Sequence, residues 1–535
     1  MDHWSAYRMP AQRAEALHGD RVVRCFAPRP RNLQALFAAA CARAPRTAAL
    51  VCDGQRWDYA SCDALVQRLA ASLAAHGVAS GARVVMFIDN RPEFVFVWLA
   101  LQRLGAIAVP VGVREQRPGL AYIARQCGAS AIVADAGLAE RLPDASEAPA
   151  LELRVAIGGA PGCVPYDSLL ARELAAPPTA DPAETDVGVI LYTSGTTGNP
   201  KGAMLTHLNI VHSVLHYQAC MRLGDGEVSA LAVPASHVTG LVAIIATMIG
   251  VAGTTVIVPA FKAEPFIALL QHERVTHTLM VPAMYNLCLL QPGFGLADLR
   301  AWRVGGYGGA PMPVATIDAL TAALPGLTLL NCYGATETTS PTTMMPMGET
   351  RAHADSVGVA LPTAEVRVMD DAGREVAPGD SGELWIAGPM VVPGYWANPQ
   401  ATAASFTAGW WHSGDLGSVD AQGYVRVFDR KKDMLNRGGF KIYSIEVENV
   451  LMAWPGIVEA AVVGRPCPVL GERVHAFVHA PGVRPDDTAL RTFCAARLAD
   501  YKVPETFSWS DAPLPRNANG KLMKRLLRDR LTATV

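Results

Sequence analysis

Leu191-Tyr-Thr-Ser-Gly-Thr-Thr-Gly-Asn-Pro-Lys-Gly202 is the stretch on which the reading of this chain turns. An apolar run, Val187 to Leu191, precedes it and reads as a strand, and a helical pattern follows from Thr206. Between them, ten positions hold three glycines, four hydroxyl residues and Lys201. Glycines let a backbone wrap closely, so N–H groups and hydroxyls can surround phosphate oxygens while the lysine supplies charge. The loop is not a Walker A sequence, because Pro200 stands where the second glycine of that pattern belongs. Composition alone fits a plain Gly/Ser/Thr surface loop equally well.

Outward from the loop, helical and strand patterns alternate. Ser61 is placed to cap a helix carrying Leu65, Leu69 and Leu73, with Gly77 to close it. Arg83 to Ile88 reads as a strand, Glu93 to Leu104 as a helix and Ala106 to Pro110 as a strand again. Similar pairs recur around 121–134, 207–233, 241–259 and 264–281, so the expectation is an α/β fold: a large N-terminal domain of helix-covered sheets. From about 355 to 428 short alternating strands, such as Glu365–Met369 and Gly382–Ile386, lie between Gly, Pro and Asp turns and suggest a β-rich subdomain. The charged cluster Asp429-Arg-Lys-Lys-Asp433 reads as a hinge between residues 1–428 and a small mobile α+β domain over 434–535.

The 535 residues are 50% hydrophobic and 18% charged, enough to bury a large core. Lys plus Arg (46) nearly balances Asp plus Glu (48), which excludes a strongly basic nucleic-acid binder. Eleven cysteines without a C-x-x-C pair argue against a disulfide scaffold or a Cys-rich zinc site and suit a reducing, cytoplasmic compartment. The first thirty residues have no apolar core of a secretory signal. Val238 to Ala260 is uncharged and long enough to span a bilayer, but Gly240, Gly250 and Gly253 break it and Thr254 to Pro259 reads as a strand, so no transmembrane span is expected.

In its order of residues, 191–202 resembles the phosphate loop of the adenylate-forming superfamily, which includes acyl-CoA synthetases, nonribosomal adenylation domains and luciferases. Further segments agree in the family's order from about 33 to 525. Gly305-Gly-Tyr-Gly-Gly-Ala-Pro-Met312 is similar to the adenine-side loop, which implies contacts from Gly308, Gly309, Ala310 and Pro311. Asn331 to Glu337 resembles the segment in which Tyr333 would stack on adenine, Gly334 line the nucleotide, Thr336 contact the α-phosphate and Glu337 help hold Mg²⁺. Thr193, Ser194, Gly195, Thr196, Thr197, Gly198 and Lys201 would hold ATP phosphates, and Asp415 in Trp411 to Leu416 would take both ribose hydroxyls. Arg430 maps to a ribose or phosphate contact and Lys432 to the pivot of the small domain. Gly438, Gly439 and Phe440 resemble the loop lining the pantetheine tunnel, and Lys521 maps to the adenylation lysine, where a cation offsets charge gathered at the α-phosphorus.

The resemblance implies ATP, Mg²⁺ and CoA as cofactor and co-substrates, and a carboxylic acid activated as an acyl-adenylate and passed to CoA. The acid would sit near His237, Val238, Thr239, Val242, Tyr285, Tyr307, Cys332 and Met344, with His237 either beside the carboxylate or a core histidine. No aspartate stands between Val233 and Val251 to pair a substrate ammonium, so a fatty, branched or aryl acid is favoured over an amino acid. Two alternatives stay open: an acyl-AMP ligase loading an acyl-carrier protein, whose relatives often carry an insertion not evident before residue 429, and a catalytically silent nucleotide-binding homologue. Lys521, Glu337 and Asp415 all stand, against the second.

Overall fold

The alternating apolar runs form two largely parallel sheets in the computed structural model, which describes residues 3–171, 174–175, 179–193, 199–482, 484–516 and 522–532. Contacts divide the chain into two compact units. The first comprises Met1–Val366, Trp385–His412 and Ala421–Val425; the second comprises Arg367–Leu384, Ser413–Asp420 and Arg426–Val535.

In the first unit, a seven-stranded sheet runs in the order Lys201–Thr206, Val187–Thr193, Ile107–Pro110, Arg83–Phe87, Ala131–Asp135, Leu153–Ile157 and Val164–Pro165. Its pairs are parallel except for the hairpin of Val187–Thr193 with Lys201–Thr206. A nine-stranded sheet has Thr328–Tyr333, Val304–Tyr307, His277–Met280, Val228–Leu231, Thr254–Ile257 and Ala48–Cys52 as its parallel centre. Antiparallel partners close both edges.

The helices between these strands follow their side chains. Pro92–Leu104 is buried on nearly every face, Glu93 excepted, because almost all its residues are apolar, and Gly105 ends it at φ 66°. The cap expected at Ser61 is corrected: the helix is Tyr59–Ala75, and Asp58 caps it by accepting the Ser61 N–H at 2.7 Å. The uncharged stretch after Val238 folds as a buried π-helix, Thr239–Ala246, continued by Thr247–Gly250 and the buried strand Thr254–Ile257. Among the described residues no helix is long and apolar enough to cross a membrane.

The β-rich stretch contains strands Glu365–Met369, Gly382–Ala387, Trp410–Val419 and Val425–Arg430. In the second unit, Phe440–Ile442, Leu435–Arg437, Gly471–His479 and Glu459–Cys467 form a sheet, with Thr506–Ser510 parallel to Gly471–His479. Val462, Val474, Ala476 and Val478 face Leu435, Val447, Leu451 and Leu490 in its core. This is the expected α/β architecture with a smaller α+β C-terminal part.

Candidate active site

The hairpin that opens the seven-stranded sheet sets the first side chains. Its ladder ends on the pair Thr193↔Lys201, so these two residues bracket the phosphate-type loop. Ser194, Gly195, Thr196, Thr197 and Gly198 lie outside the described residues, as does Lys521. The hairpin continues into helix His207–Cys220 through a capping box: Thr206 Oγ1 accepts the Asn209 N–H at 3.2 Å, and Asn209 Oδ1 accepts the Thr206 N–H at 2.9 Å. Asn209 Nδ2 then donates to Pro389 O at 2.7 Å and Val391 O at 3.2 Å, fastening the hairpin to the 389–396 segment.

Glu337 sits where that segment meets the hairpin. It lies in the short 3₁₀ turn Thr336–Thr338 and is buried. Its Oε1 accepts hydrogen bonds from Tyr395 Oη at 2.9 Å and Thr193 Oγ1 at 3.3 Å, and its backbone carbonyl accepts the Val392 N–H at 3.0 Å. Burial, then the adjacent Glu337 charge, push the Tyr395 phenol far up, which keeps it a donor. Lys201 Nζ lies 5.0 Å from the centre of the Tyr395 ring. The carboxylate is thus oriented by two neutral hydroxyls through one oxygen, and Oε2 has no partner among the described residues. A buried carboxylate with a spare hard oxygen fits Mg²⁺, which takes few protein ligands when phosphates supply the rest. Among the described residues no group of three or more His, Cys, Asp or Glu could hold a metal unaided.

The nine-stranded sheet brings the two glycine-bearing segments to one edge. Val304–Tyr307 and Thr328–Tyr333 are parallel neighbours, with Tyr307 opposite Asn331, so Gly308–Pro311 and Tyr333–Glu337 leave the sheet at the same carboxyl end. Ligands of open parallel sheets settle at such ends. Gly308 has no room for a side chain: a Cβ there would lie 2.3 Å from the Cys332 carbonyl oxygen. Gly309, Ala310 and Pro311 are exposed, as is Gly334, whereas Tyr333 and Thr336 are half-buried.

The residues expected around the acid fall into two sets. His237, Val238 and Thr239 are half-buried where the π-helix begins, a helix type frequent at functional sites. Gly240 permits this tight entry, since a Cβ would meet Pro234 O at 2.3 Å. Tyr285, Tyr307, Cys332, Val242 and Met344 are buried. Tyr285 stacks on Trp302 at 5.8 Å and donates to Gly306 O at 2.7 Å, so its polar end is committed to the sheet. Burial pushes the Cys332 thiol and the Tyr307 phenol up, keeping both neutral.

In the second unit, Arg430 Nε lies 2.7 Å from Asp415 Oδ1, and Asp415 is buried. Strand Trp410–Val419 carries the acid and the end of Val425–Arg430 the guanidinium. Lys431 pairs with Asp371 at 3.0 Å and Glu383 at 3.3 Å, while the Lys432 carbonyl accepts from Arg528 at 3.1 Å. Gly438 and Gly439, at φ 60° and 92°, form the two-residue turn between Leu435–Arg437 and Phe440–Ile442, a turn that needs positive φ at both positions. Nothing lies within 4 Å of a Cβ built at Gly439, and exposed Phe440 stacks on Tyr501 at 4.7 Å.

Two residues of this site were not evident in the sequence reading. Tyr395 is 58 positions from the carboxylate it orients. Asn90 is buried beneath the 233–237 segment, donating to Val233 O at 3.0 Å and accepting the Ala235 N–H at 2.8 Å. The only signal for Asn90 was its place between a strand and Pro92; Tyr395 gave none.

The sequence profile of the AMP-binding enzyme family matches residues 37–396, and that of the AMP-binding enzyme C-terminal domain matches 446–521. A feruloyl-CoA synthase of Amycolatopsis sp is 35% identical, the match covering 91% of this chain and 96% of that one. A fatty acid–acyl-carrier-protein ligase of Streptomyces coeruleorubidus is 34% identical over 91% and 94%. The o-succinylbenzoate CoA synthetase of Bacillus subtilis, solved with its acyl-adenylate intermediate, superposes with a TM-score of 0.83 at 27% identity over 92% and 98% of the two chains. Its complex with ATP and magnesium ion gives 0.82 at 27% over 93% and 99%. With the family's segments in order and the nucleotide-type edge assembled, the chain belongs to the AMP-binding family of adenylate-forming enzymes, on its acid–thiol ligase branch.

Proposed function

We propose that this ligase activates an apolar carboxylic acid, fatty, branched or aryl, with ATP and transfers the acyl group to CoA. The carboxylate oxygen attacks the α-phosphorus and pyrophosphate leaves; the CoA thiol then attacks the acyl carbon and AMP leaves. The observation that carries this reading is Glu337: buried, oriented by Thr193 and Tyr395, with one carboxylate oxygen that meets no partner among the described residues. Mg²⁺ at Glu337, when bound, neutralises phosphate charge. Thr193 and Lys201, with residues 194–198, take the phosphates; Gly308–Pro311 and Tyr333 flank adenine, and Thr336 meets the α-phosphate. Asp415 accepts the ribose hydroxyls while Arg430 holds that carboxylate in place. Lys521 stabilises charge during adenylation. The C-terminal domain, 434–535, then turns at the 429–433 hinge about Lys432 and presents Gly438, Gly439 and Phe440 to the thiol.

An apolar acid is supported by the segment from His237 to Gly250, buried beyond Thr239 and without a charged residue to meet a substrate ammonium. His237, Val238 and Thr239 form its accessible lip. Eleven free cysteines suit a reducing, cytoplasmic setting. The carrier-protein ligase at 34% identity supports one second reading, in which an acyl-carrier-protein thiol replaces CoA.

A panel of carboxylic acids with ATP and Mg²⁺ tests the proposal, with AMP, pyrophosphate and thioester measured with CoA, with a phosphopantetheinylated carrier protein and with neither. Acyl-CoA from a preferred apolar acid is the expected result. Pyrophosphate release with thioester on the carrier alone transfers the case to the second reading. ATP binding without turnover of any acid overturns both.

A further inference from the structure

Residues 394–396 lie alongside the outgoing arm of the phosphate-type hairpin. The Met204 N–H donates to Gly394 O at 3.1 Å, the Trp396 N–H donates to Gly202 O at 2.7 Å, and Tyr395 bridges Ala203 antiparallel. The other side of this short stretch is held as well. Thr402 Oγ1 accepts the Tyr395 N–H at 3.0 Å and donates to Asn398 O at 2.9 Å, and Asn398 Oδ1 caps helix Pro399–Ser405 by accepting the Ala401 N–H at 3.0 Å. Phe406 meets the Tyr395 ring edge-on at 5.8 Å. The ring is thus fixed in place by its backbone on two sides and by a packed neighbour.

Tyr395 meets two opposite charges at once. Its Oη donates to Glu337 Oε1 at 2.9 Å, while Lys201 Nζ lies over the face of its ring, 5.0 Å from the centre. The main chains of the two charged residues come close together: Thr193 Oγ1 is 3.3 Å from Glu337 Oε1 and 3.5 Å from the Lys201 carbonyl oxygen. The flexible four-carbon stem of a lysine spans such a gap. Lys201 nevertheless sits on the aromatic face, and Glu337 on the phenol hydroxyl. A ring face attracts a cation and an O–H donates to an anion, so one side chain serves each charge without neutralising either.

An ion pair between Lys201 and Glu337 would occupy the cation that takes phosphate and the carboxylate that takes metal. A ligand would then have to break that pair, and its apparent affinity would fall by the fraction of molecules left unpaired. We infer that Tyr395 is a positioning residue that keeps the cation and the anion of this site from pairing with each other: its ring face seats Lys201, its hydroxyl seats Glu337, and both stay available to ATP and Mg²⁺. The inference rests on the roles given above to Lys201 and Glu337. It adds that their separation, built by the 394–396 stretch, sets the affinity for nucleotide and metal together.

ATP binding to the full-length protein, measured by calorimetry in EDTA and across an Mg²⁺ series, tests it without turnover. Tyr395→Leu removes ring and hydroxyl and is expected to raise both the Kd for ATP in EDTA and the Mg²⁺ midpoint roughly 10-fold, within the coupling range of charges in contact. With Lys201→Met already in place, the same substitution is expected to move the Mg²⁺ midpoint by less than about twofold, because no ammonium remains to pair with Glu337. A side chain that only shaped the site would move it equally in both backgrounds, and that result overturns the inference. Tyr395→Phe keeps the ring and is expected to hold the Kd for ATP in EDTA within about twofold of wild type. A loss there as large as that of leucine also overturns it. If Tyr395→Leu does not fold, Tyr395→Met carries the same cycle, since a thioether chain fills irregular space without offering a ring face. Glu337→Gln is the control. An unchanged Mg²⁺ midpoint in Glu337→Gln removes the metal role of Glu337 and this inference with it. A raised midpoint there, with equal shifts for Tyr395→Leu in both lysine backgrounds, overturns the separation alone.

Discussion

Glu337 in the first unit and Glu448 in the second are both buried carboxylates, and they are held in opposite ways. Two neutral hydroxyls, Thr193 and Tyr395, orient Glu337 through a single oxygen, and no ammonium or guanidinium neutralises it among the described residues. Glu448 sits on Lys524 at 2.6 Å and accepts the Val462 N–H at 2.7 Å with that same oxygen. Burying a charge without a counter-charge costs several kcal/mol unless a partner arrives from outside. Among the described residues the first carboxylate meets no cation; the second uses its charge to hold two elements together. Of the two buried acids, the one with no cationic partner among the described residues is the candidate for ligand chemistry.

Exchanging the charge at each site should break the comparison cleanly. Glu337→Gln keeps the shape and removes the carboxylate; ATP–pyrophosphate exchange activity is expected to fall about 10²–10³-fold, as for other single electrostatic groups. Mg²⁺ titration of the residual activity should shift to higher concentration, and the thermal midpoint should hardly move. A fall in stability with activity intact would reverse the assignment.

Glu448→Gln should do the reverse in the first instance. Lys524, whose side chain is 11% exposed, is left with Ser444 and Asp429, and breaking such a pair costs about 3 kcal/mol at the lower end of the observed range. Amide hydrogen exchange in helix Ser444–Met452 reads that loss locally. Protection equal to wild type would show that Glu448 carries no compensated charge.

A third contrast comes from helix His207–Cys220, which lies behind the phosphate-type hairpin and buries its histidines neutral. Burial holds His207 and His212 down at about 4, below the ordinary value near 6.5. His212 Nε2 accepts the Phe26 N–H at 3.1 Å while Nδ1 faces the Leu208 carbonyl, so neither nitrogen can take a further proton without losing a bond. The unfolded chain binds protons first as pH falls from 6.5 to 4, and stability is lost in that window at up to about 1.4 kcal/mol per pH unit for each histidine. Urea unfolding at pH 7, 6 and 5 should show that slope, and His212→Gln should reduce it. A pH-independent midpoint would mean these imidazoles are charged or accessible.

Much of the candidate site among the described residues was legible as order along the chain. The strand–loop–helix around 191–202, the paired glycines of 308–309 and 438–439, and the acids at 337 and 415 each sit where backbone geometry needs them: Gly308 against the Cys332 carbonyl, Gly438 and Gly439 at positive φ. Local rules bind neighbours a few residues apart, and those rules the sequence displays. Even so, the cap at Ser61 was misplaced by three residues, because both Asp58 and Ser61 are good caps and only the turn itself chose Asp58. Tyr395, Asn90 and Lys524 were invisible for a different reason. Each acts on a partner far along the chain, at separations of 58, 145 and 76 residues, where no periodicity reports on contact.

The amino-acid order by itself determined the alternating α/β character, the uncharged segment after Val238 and which residue types are available for nucleotide chemistry, because hydrophobic period and glycine placement are local properties of the chain. Tertiary structure alone decided which of these two buried carboxylates, Glu337 and Glu448, has a cationic partner among the described residues. That difference between Glu337 and Glu448 depends on what lies within 3 Å of a carboxylate oxygen, and packing sets such distances only after the strands have paired.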